Sequence, residues 1–238
     1  MKKPRGFFVT GTDTGVGKTI IAAALIRAAN MLGLRTAGMK PVETGCAKKG
    51  GVLIPSDGMF LKEAANMEED ISLITPYALE NPLAPLLAAE MEGVLIEPSL
   101  IRKRFETLLQ KYDAVIVEGV GGLLVPIAKD YFVLDMAKDF SLPLLVVSRP
   151  SLGTINHTLL TVEKALLKGL SVGGVVLNYS GPAGGTLAER TNPEILERLL
   201  PVPLIGVFPY LKNRLIPEIE KAVSKSLDLS FLEKSLFD

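Results

Sequence analysis

The sequence is poor in the residues that carry most metal and redox chemistry, with one cysteine, Cys46, and one histidine, His157. A single thiol excludes an internal disulfide and a multi-cysteine zinc site, and it suits a reducing compartment. Its surroundings, Thr44-Gly45-Cys46-Ala47-Lys48, read as an ordinary loop. His157 falls at a helix start, where a lone imidazole is more often structural than catalytic. An excess of either charge is also missing: Lys plus Arg and Asp plus Glu number 26 each. No global field therefore favours nucleic acid, an anionic membrane surface or a polyanionic substrate, and any anion must be bound locally. No apolar run approaches the roughly twenty residues that cross a bilayer. Met1-Lys2-Lys3-Pro4 leads directly into a strand pattern without a cleavable leader. The expectation is a cytoplasmic protein with neither a nucleic-acid nor a membrane partner. Internal repeats and low-complexity linkers are absent too, while residues 45–55 and 180–191 read as mobile loops.

What the chain does have is apolar material, 48% of its 238 residues. That is enough for the core of one large domain, residues 1–238. Beyond a first strand at Phe7-Phe8-Val9, residues 36–42 form a second strand that ends at Lys40-Pro41. Residues 114–117, 142–147, 172–177 and 203–207 are apolar without alternation, as strands covered on both faces are. Helical periodicity appears at 99–112, 155–167 and 193–200, then at 217–223 and 228–237. Strands alternating with helices of this length call for βαβ units with right-handed crossovers. The expected class is α/β: a three-layer fold with a mostly parallel sheet and helices on both faces. Ligands in such sheets lie beyond the carboxyl ends of the strands, so polar residues there are the candidates.

The first strand enters Thr10-Gly11-Thr12-Asp13-Thr14-Gly15-Val16-Gly17-Lys18-Thr19, and an alanine-rich helix follows. Gly15 and Gly17 allow the backbone to curl until successive N–H groups point inward, and the helix adds its positive dipole end. This is a phosphate cradle in which Lys18 would meet the outer phosphates and Thr19 magnesium. The common pattern puts four residues between its first Gly and Gly-Lys, whereas Gly11 to Gly17 leaves five.

The other strand ends offer Lys40 to Thr44, Glu118-Gly119-Val120-Gly121-Gly122, Asn178 and Pro209-Tyr210-Leu211. A carboxylate closing the buried strand at Glu118 is costly without a cationic partner, and magnesium shared with Thr19 would supply one. Pro41 holds Lys40 at its strand end, near the phosphates. Two lysines and a metal around one phosphoryl group would offset the charge that develops in phosphoryl transfer. Asp57, in Pro55-Ser56-Asp57-Gly58, stands just ahead of a helix, and position alone favours a role as its N-cap. Arg149 and Arg190 read as ordinary loop residues.

Taken together, these segments resemble the dethiobiotin synthetase family. The resemblance rests on Gly-Thr-Asp-Thr at 11–14 with Gly17-Lys18-Thr19, on Gly38-Met39-Lys40-Pro41-Val42 with Thr44-Gly45, and on Ser56-Asp57. It extends through Val117-Glu118-Gly119-Val120-Gly121-Gly122, Gly153-Thr154-Ile155-Asn156-His157, Asn178 and Pro209-Tyr210-Leu211, so it covers the chain from Phe7 to Leu211. It implies an ATP- and magnesium-dependent synthetase of the P-loop NTPase type. The reaction implied joins 7,8-diaminopelargonate and carbon dioxide, or bicarbonate as its source, into dethiobiotin with release of ADP and phosphate. Lys40 and Lys18 are then catalytic, and Thr19, Asp57 and Glu118 hold the metal. Nucleotide contacts are implied for Thr14, Gly15, Val16, Gly17, Lys18, Thr19 and Ile20, for Asp57, and for Glu118, Gly119, Val120 and Gly121. At the adenine end the resemblance implies Asn178, Tyr179, Pro209, Tyr210 and Leu211. The diamine would lie along Thr14, Lys40, Thr44, Gly121 and Gly122. Leu152, Gly153 and Asn156 would complete the site from the second subunit of a homodimer.

Two positions depart from the family pattern. Gly15 stands where some relatives carry an acidic residue, and Thr44 stands where Ser is frequent. Two rival readings share the phosphate cradle. A cobyrinate amide synthase needs an ammonia-producing glutaminase domain, for which this chain has no length. A partition or septum-positioning ATPase carries a lysine early in the loop, where this chain has Asp13, and it needs a basic patch or membrane-seeking helix.

Overall fold

The computed structural model describes residues 4–237, so the lead Met1-Lys2-Lys3 lies outside the described residues. In chain order, β1 (Gly6–Gly11) leads through a loop to α1 (Lys18–Met31), followed by β2 (Thr36–Met39) and the short β3 (Val42–Glu43). A hairpin of β4 (Ala47–Lys49) and β5 (Val52–Ile54) precedes α2 (Ser56–Ala65) and α3 (Ile71–Ile74). Then come β6 (Tyr77–Ala78), α4 (Pro85–Glu92), α5 (Pro98–Lys111) and β7 (Ala114–Gly122). The chain continues through β8 (Pro126–Ala128), β9 (Tyr131–Phe132), α6 (Val133–Phe140), β10 (Leu144–Ser148) and α7 (Thr154–Leu167). It closes with β11 (Val172–Asn178), α8 (Leu187–Leu199), β12 (Leu204–Phe208), α9 (Ile216–Ser226) and α10 (Leu229–Phe237).

The six apolar strands anticipated above form one sheet, in the order β12-β11-β10-β1-β7-β2, and every pairing in it is parallel. The second, expected over 36–42, ends at Met39, because Pro41 interrupts it and Val42 opens β3, which pairs with β6 in a separate sheet. Strand β1 is inside the sheet, with Phe8 in register with Leu144 of β10 and with Val117 of β7. After β1 the chain crosses to the edge strand β2, and β7 later fills the space between them. A change of winding direction of this kind opens a crevice at the carboxyl ends of the strands on either side.

Apolar helix faces cover both sides of the sheet. Helix α1 is buried along most of its length and packs against α2, α9 and α10. On the other side Phe105 of α5 stacks on Phe140 of α6 with ring centroids 4.1 Å apart, and Phe140 meets Phe8 of β1 at 6.2 Å. These three rings tie two helices to the strand that feeds the phosphate loop, and aromatic pairs in such geometry add to what area burial alone provides.

Two expectations are corrected here. The segment 45–55 is a two-stranded hairpin, with Lys49 opposite Val52 and a turn at Gly50-Gly51, both of positive φ. Two glycines between short strands make the tight turn whose twist suits a hairpin. Residues 180–191 are not all loop either, because α8 begins at Leu187 and not at Pro193. Thr186 and Glu189 form a reciprocal capping box that starts the helix six residues earlier, and Pro193 lies within it.

Candidate active site

The loop after β1 turns on two left-handed glycines, Gly15 (φ 74°) and Gly17 (φ 92°). Gly17 is the N-cap position of α1, and no side chain caps the first amides of the helix. Those free N–H groups and the helix dipole face the cleft and suit an anion. Asn178, at the end of β11, donates from Nδ2 to the Val16 carbonyl at 2.8 Å. This bond passes so close beneath Gly17 that a Cβ there would lie 2.1 Å from Asn178 Nδ2. Gly17→Ala therefore combines a clash with left-handed strain of about 1–3 kcal/mol. The expected result is a folded protein whose ADP affinity, read by titration calorimetry, falls roughly tenfold or more. Wild-type affinity would mean that the loop does not cradle phosphate.

Around this loop the residue that follows β2 and the middle of β7 bring together a compact ionic cluster: the strand expected to close at Val117 runs on to Gly122, so Glu118 stands inside it. Lys40 is only 4% exposed, and its Nζ lies 2.5 Å from Glu118 Oε1, 3.2 Å from Asp57 Oδ2 and 3.3 Å from the Gly119 carbonyl. Thr19 donates its hydroxyl to the same Glu118 Oε1 at 2.9 Å. Burial alone would lower the Lys40 pKa, but Glu118 and Asp57 outweigh it and hold the ammonium above its ordinary value. Burial pushes the Glu118 carboxyl up against the pull of Lys40. The short contact and the Thr19 hydroxyl favour the charged pair. Lys18 has weaker support. Burial and the neighbouring Lys40 charge lower its pKa to about 8, while its Nζ donates to the Asp13 carbonyl at 3.1 Å.

Asp57 does not cap its helix. The N-cap position of α2 is Pro55, and Asp57 stands in the first turn with its carboxylate directed to Lys40. The cap comes from a residue the sequence reading did not single out. Glu43, on β3, accepts from the Asp57 and Gly58 amides at 2.9 Å each and from the Ser56 hydroxyl at 3.2 Å. The strand-end rule that selects residues 40–44 includes Glu43, but nothing in the pattern shows that its carboxylate turns back onto α2.

These groups line a cleft of about 360 Å³. From the phosphate loop and α1 it takes Thr14, Gly15, Gly17, Lys18, Thr19 and Ile20. Lys40, Thr44, Asp57, Glu118, Val120 and Gly121 form its middle, and Asn178, Tyr179, Pro209, Tyr210 and Leu211 its far end. Val16, Gly119 and Gly122 stand behind this wall: the first two give carbonyls to Asn178 and Lys40, and Gly122 accepts from the Val125 amide. Leu152, Gly153 and Asn156 lie outside the cleft, at the exposed start of α7. Ser180 and Arg214 join Glu43 as lining residues absent from the expectation, and both follow strand ends already selected. Cys46 is buried beside the Glu43 carbonyl, and burial raises its thiol to about 11, so it is no nucleophile at neutral pH. His157 is exposed, and Arg149 pairs with Asp13 at 2.7 Å.

The donor set suits magnesium. Glu118 Oε2 is buried without a partner, and with the Thr19 hydroxyl and the Asp57 carboxylate it offers only oxygen ligands. No group of three His, Cys, Asp or Glu side chains able to enclose a metal occurs among the described residues. Magnesium is typically held by one or two carboxylates with phosphate oxygens and water completing its shell.

A parallel sheet whose inner strand feeds a glycine loop and then Lys-Thr at a helix start defines a P-loop nucleotide-binding protein. A family model described as an AAA domain matches residues 5–215. A chain of the MinC:MinD cell division protein complex of Aquifex aeolicus aligns over 98% of this chain and 96% of its own at TM-score 0.55 and 14% identity. The signal recognition particle receptor FtsY of Elizabethkingia anophelis aligns over 100% and 67%, at TM-score 0.56 and 14% identity. At such identity these two likenesses show the fold alone. Curated relatives are nearer: the ATP-dependent dethiobiotin synthetase BioD of Thermodesulfovibrio yellowstonii is 48% identical over 95% of this chain and 98% of its own length. The corresponding protein of Bacillus subtilis strain 168 is 38% identical over 96% and 97%. The chain belongs to the ATP-dependent dethiobiotin synthetase family, a family of ligases.

Proposed function

We propose that the chain, acting as one synthetase domain over residues 1–238, makes dethiobiotin for biotin synthesis from 7,8-diaminopelargonate, carbon dioxide and ATP. The observation that carries this reading is the meeting of the phosphate loop with Lys40, Asp57 and Glu118 in one cleft. Phosphate binding alone does not require a second buried lysine. It is supported by identity to dethiobiotin synthetases over nearly the whole chain.

The chemistry proceeds in three steps. One substrate amine attacks carbon dioxide and, on losing a proton, becomes a carbamate. A carbamate oxygen takes the γ-phosphoryl group, and ADP leaves. The second amine attacks the activated carbonyl and loses a proton, and phosphate departs as the cyclic urea closes. Only the middle step needs strong electrostatic help, because negative charge gathers on the transferred group. Lys18 and the amides of 15–19 hold the phosphates, and Lys40 steadies the carbamate against the γ-phosphate. Thr19, Asp57 and Glu118 would hold magnesium, which supplies charge neutralisation and orientation of the phosphates. Thr14, Thr44 and the 118–122 turn line the room left for the diamine, and Asn178, Tyr179 and 209–211 receive the nucleobase.

We further infer a cytoplasmic homodimer in which Leu152, Gly153 and Asn156 reach the other subunit's substrate. Its support is the 89% exposure of Leu152, just ahead of α7, and the exposed leucines Leu160, Leu166 and Leu167 on that helix. Exposed apolar side chains gathered on one element support a contact with a second copy of the chain. No helix among the described residues is long and apolar enough to cross a membrane.

The deciding experiment supplies purified protein with ATP, magnesium, the diamine and labelled bicarbonate. Label is expected in a cyclic urea, and phosphate release is expected only when both diamine and bicarbonate are present. Phosphate release that ignores the diamine and responds to DNA or lipid would overturn the reading.

A further inference from the structure

We propose that Glu43 is a positioning residue for the reaction: by clamping the start of α2 it places the Asp57 carboxylate toward Lys40 and the metal position. The inference rests on the reading of Asp57 as a magnesium ligand.

Glu43 is 5% exposed and stands on β3, which is held to β6 through Val42 opposite Tyr77 and Glu43 opposite Ala78. Helix α2 opens with Pro55 at its N-cap, and Pro55 has no side chain that can accept from the first amides. Those amides need an acceptor where they are buried. Glu43 provides it from 14 and 15 residues upstream, one carboxylate oxygen for the Asp57 amide and the other for the Gly58 amide. The Ser56 hydroxyl adds a third bond. A carboxylate at a helix N-terminus also gains from the dipole.

The opposite side of the same turn is fixed sterically. A Cβ on Gly58 would lie 2.0 Å from Thr75 Oγ1, so α2 already sits as near to Thr75 as a backbone can. With Thr75 on one side and Glu43 on the other, the first turn of α2 has little freedom to slide. Asp57 belongs to that turn, and its Oδ2 lies 3.2 Å from Lys40. An outer partner that fixes a metal ligand typically changes metal affinity by about 10–100-fold when removed.

The test uses Glu43→Ala and Glu43→Gln, with Asp57→Asn as a control. Each is titrated with ADP by calorimetry across magnesium concentrations, and manganese binding is followed by electron paramagnetic resonance. For Glu43→Ala the half-saturating magnesium is expected to rise about tenfold, a larger change than in the ADP affinity measured without metal. Glu43→Gln, which keeps one acceptor oxygen, should show a smaller rise. Amide exchange at Asp57 and Gly58 should quicken in the alanine variant, in line with a loosened first turn. If Asp57→Asn weakens metal binding while folded Glu43→Ala keeps wild-type metal dependence, the clamp is refuted and the metal reading stands. If Asp57→Asn changes nothing, the metal reading fails and the inference falls with it. Should the alanine variant not fold, Glu43→Gln decides: raised half-saturation supports the clamp, and a wild-type value overturns it.

Discussion

Lys40→Ala is expected to lose about a thousandfold in ring closure, the scale seen when one preorganised charge is withdrawn from a transition state. ADP binding should persist, because the amides of the phosphate loop and Lys18 remain in place. Two effects must be separated. In the wild type the Lys40 ammonium and the Glu118 carboxylate form a pair whose side chains are 5% and 1% exposed. Removing one member of a buried pair strands the other, at a cost of about 3–5 kcal/mol. The variant should therefore melt earlier as well as turn over more slowly. Burial already pushes the Glu118 carboxyl up, and without Lys40 nothing so close opposes that push. The folded-state pKa is then raised, so the deficit should shrink as pH falls and the carboxyl takes up a proton. Circular dichroism at several pH values measures the folded fraction, and labelled bicarbonate measures turnover per folded molecule. Turnover within tenfold of wild type would remove Lys40 from the reaction.

Glu118→Gln is expected to raise the magnesium needed for ADP binding by about a hundredfold or more, since an anionic ligand is lost from a set with few protein donors. The amide fills nearly the same volume, so packing against β1 is kept and the change is mainly one of charge. Lys40 feels it too. Its pKa is held up by Glu118 first and Asp57 second, against burial, and in the variant Asp57 and the weaker Glu43 remain. The sign follows directly: the ammonium loses its proton at a lower pH than in the wild type, so the alkaline limb of whatever activity survives moves toward neutrality. Titration calorimetry across magnesium concentrations and a pH profile at saturating metal measure the two effects separately. A wild-type magnesium requirement would show that Glu118 serves only as the partner of Lys40.

The sheet was legible because its strands are apolar on both faces and need no long-range information to be recognised. The phosphate loop was legible because only a few residue types permit its backbone. The rule that sites gather at strand carboxyl ends then selected Lys40, Glu118, Asn178 and Pro209 to Leu211 from widely separated segments, and all of them line the cleft. What escaped depends on contacts that no local pattern encodes. Asp57 looked like a cap because acidic residues near helix starts usually are, and the true cap, Glu43, approaches from another strand. Asn178 read as a nucleobase contact, yet its amide also fastens the phosphate loop from 162 residues away. The hairpin at 47–54 carried its own signal, Gly50-Gly51, but its strands are three residues each, Ala47-Lys48-Lys49 exposed and Val52-Leu53-Ile54 uniformly apolar, so neither shows the alternation by which strands are usually read.

The cleft draws one wall from the loop after the first strand of the chain and another from residues 209–211, beyond the last strand of the sheet. Those two segments are brought together through β10 and β11, which lie between β1 and β12 in the sheet, so a nucleotide reaching both would bind only a chain in which these four strands have paired. ATP is thus also a thermodynamic brace: a ligand held by the native state alone adds about 2.7 kcal/mol against unfolding at a hundred times its dissociation constant. Stability margins of whole domains are only about 5–15 kcal/mol, so bound nucleotide would make up a sizeable share of the resistance of this protein to unfolding.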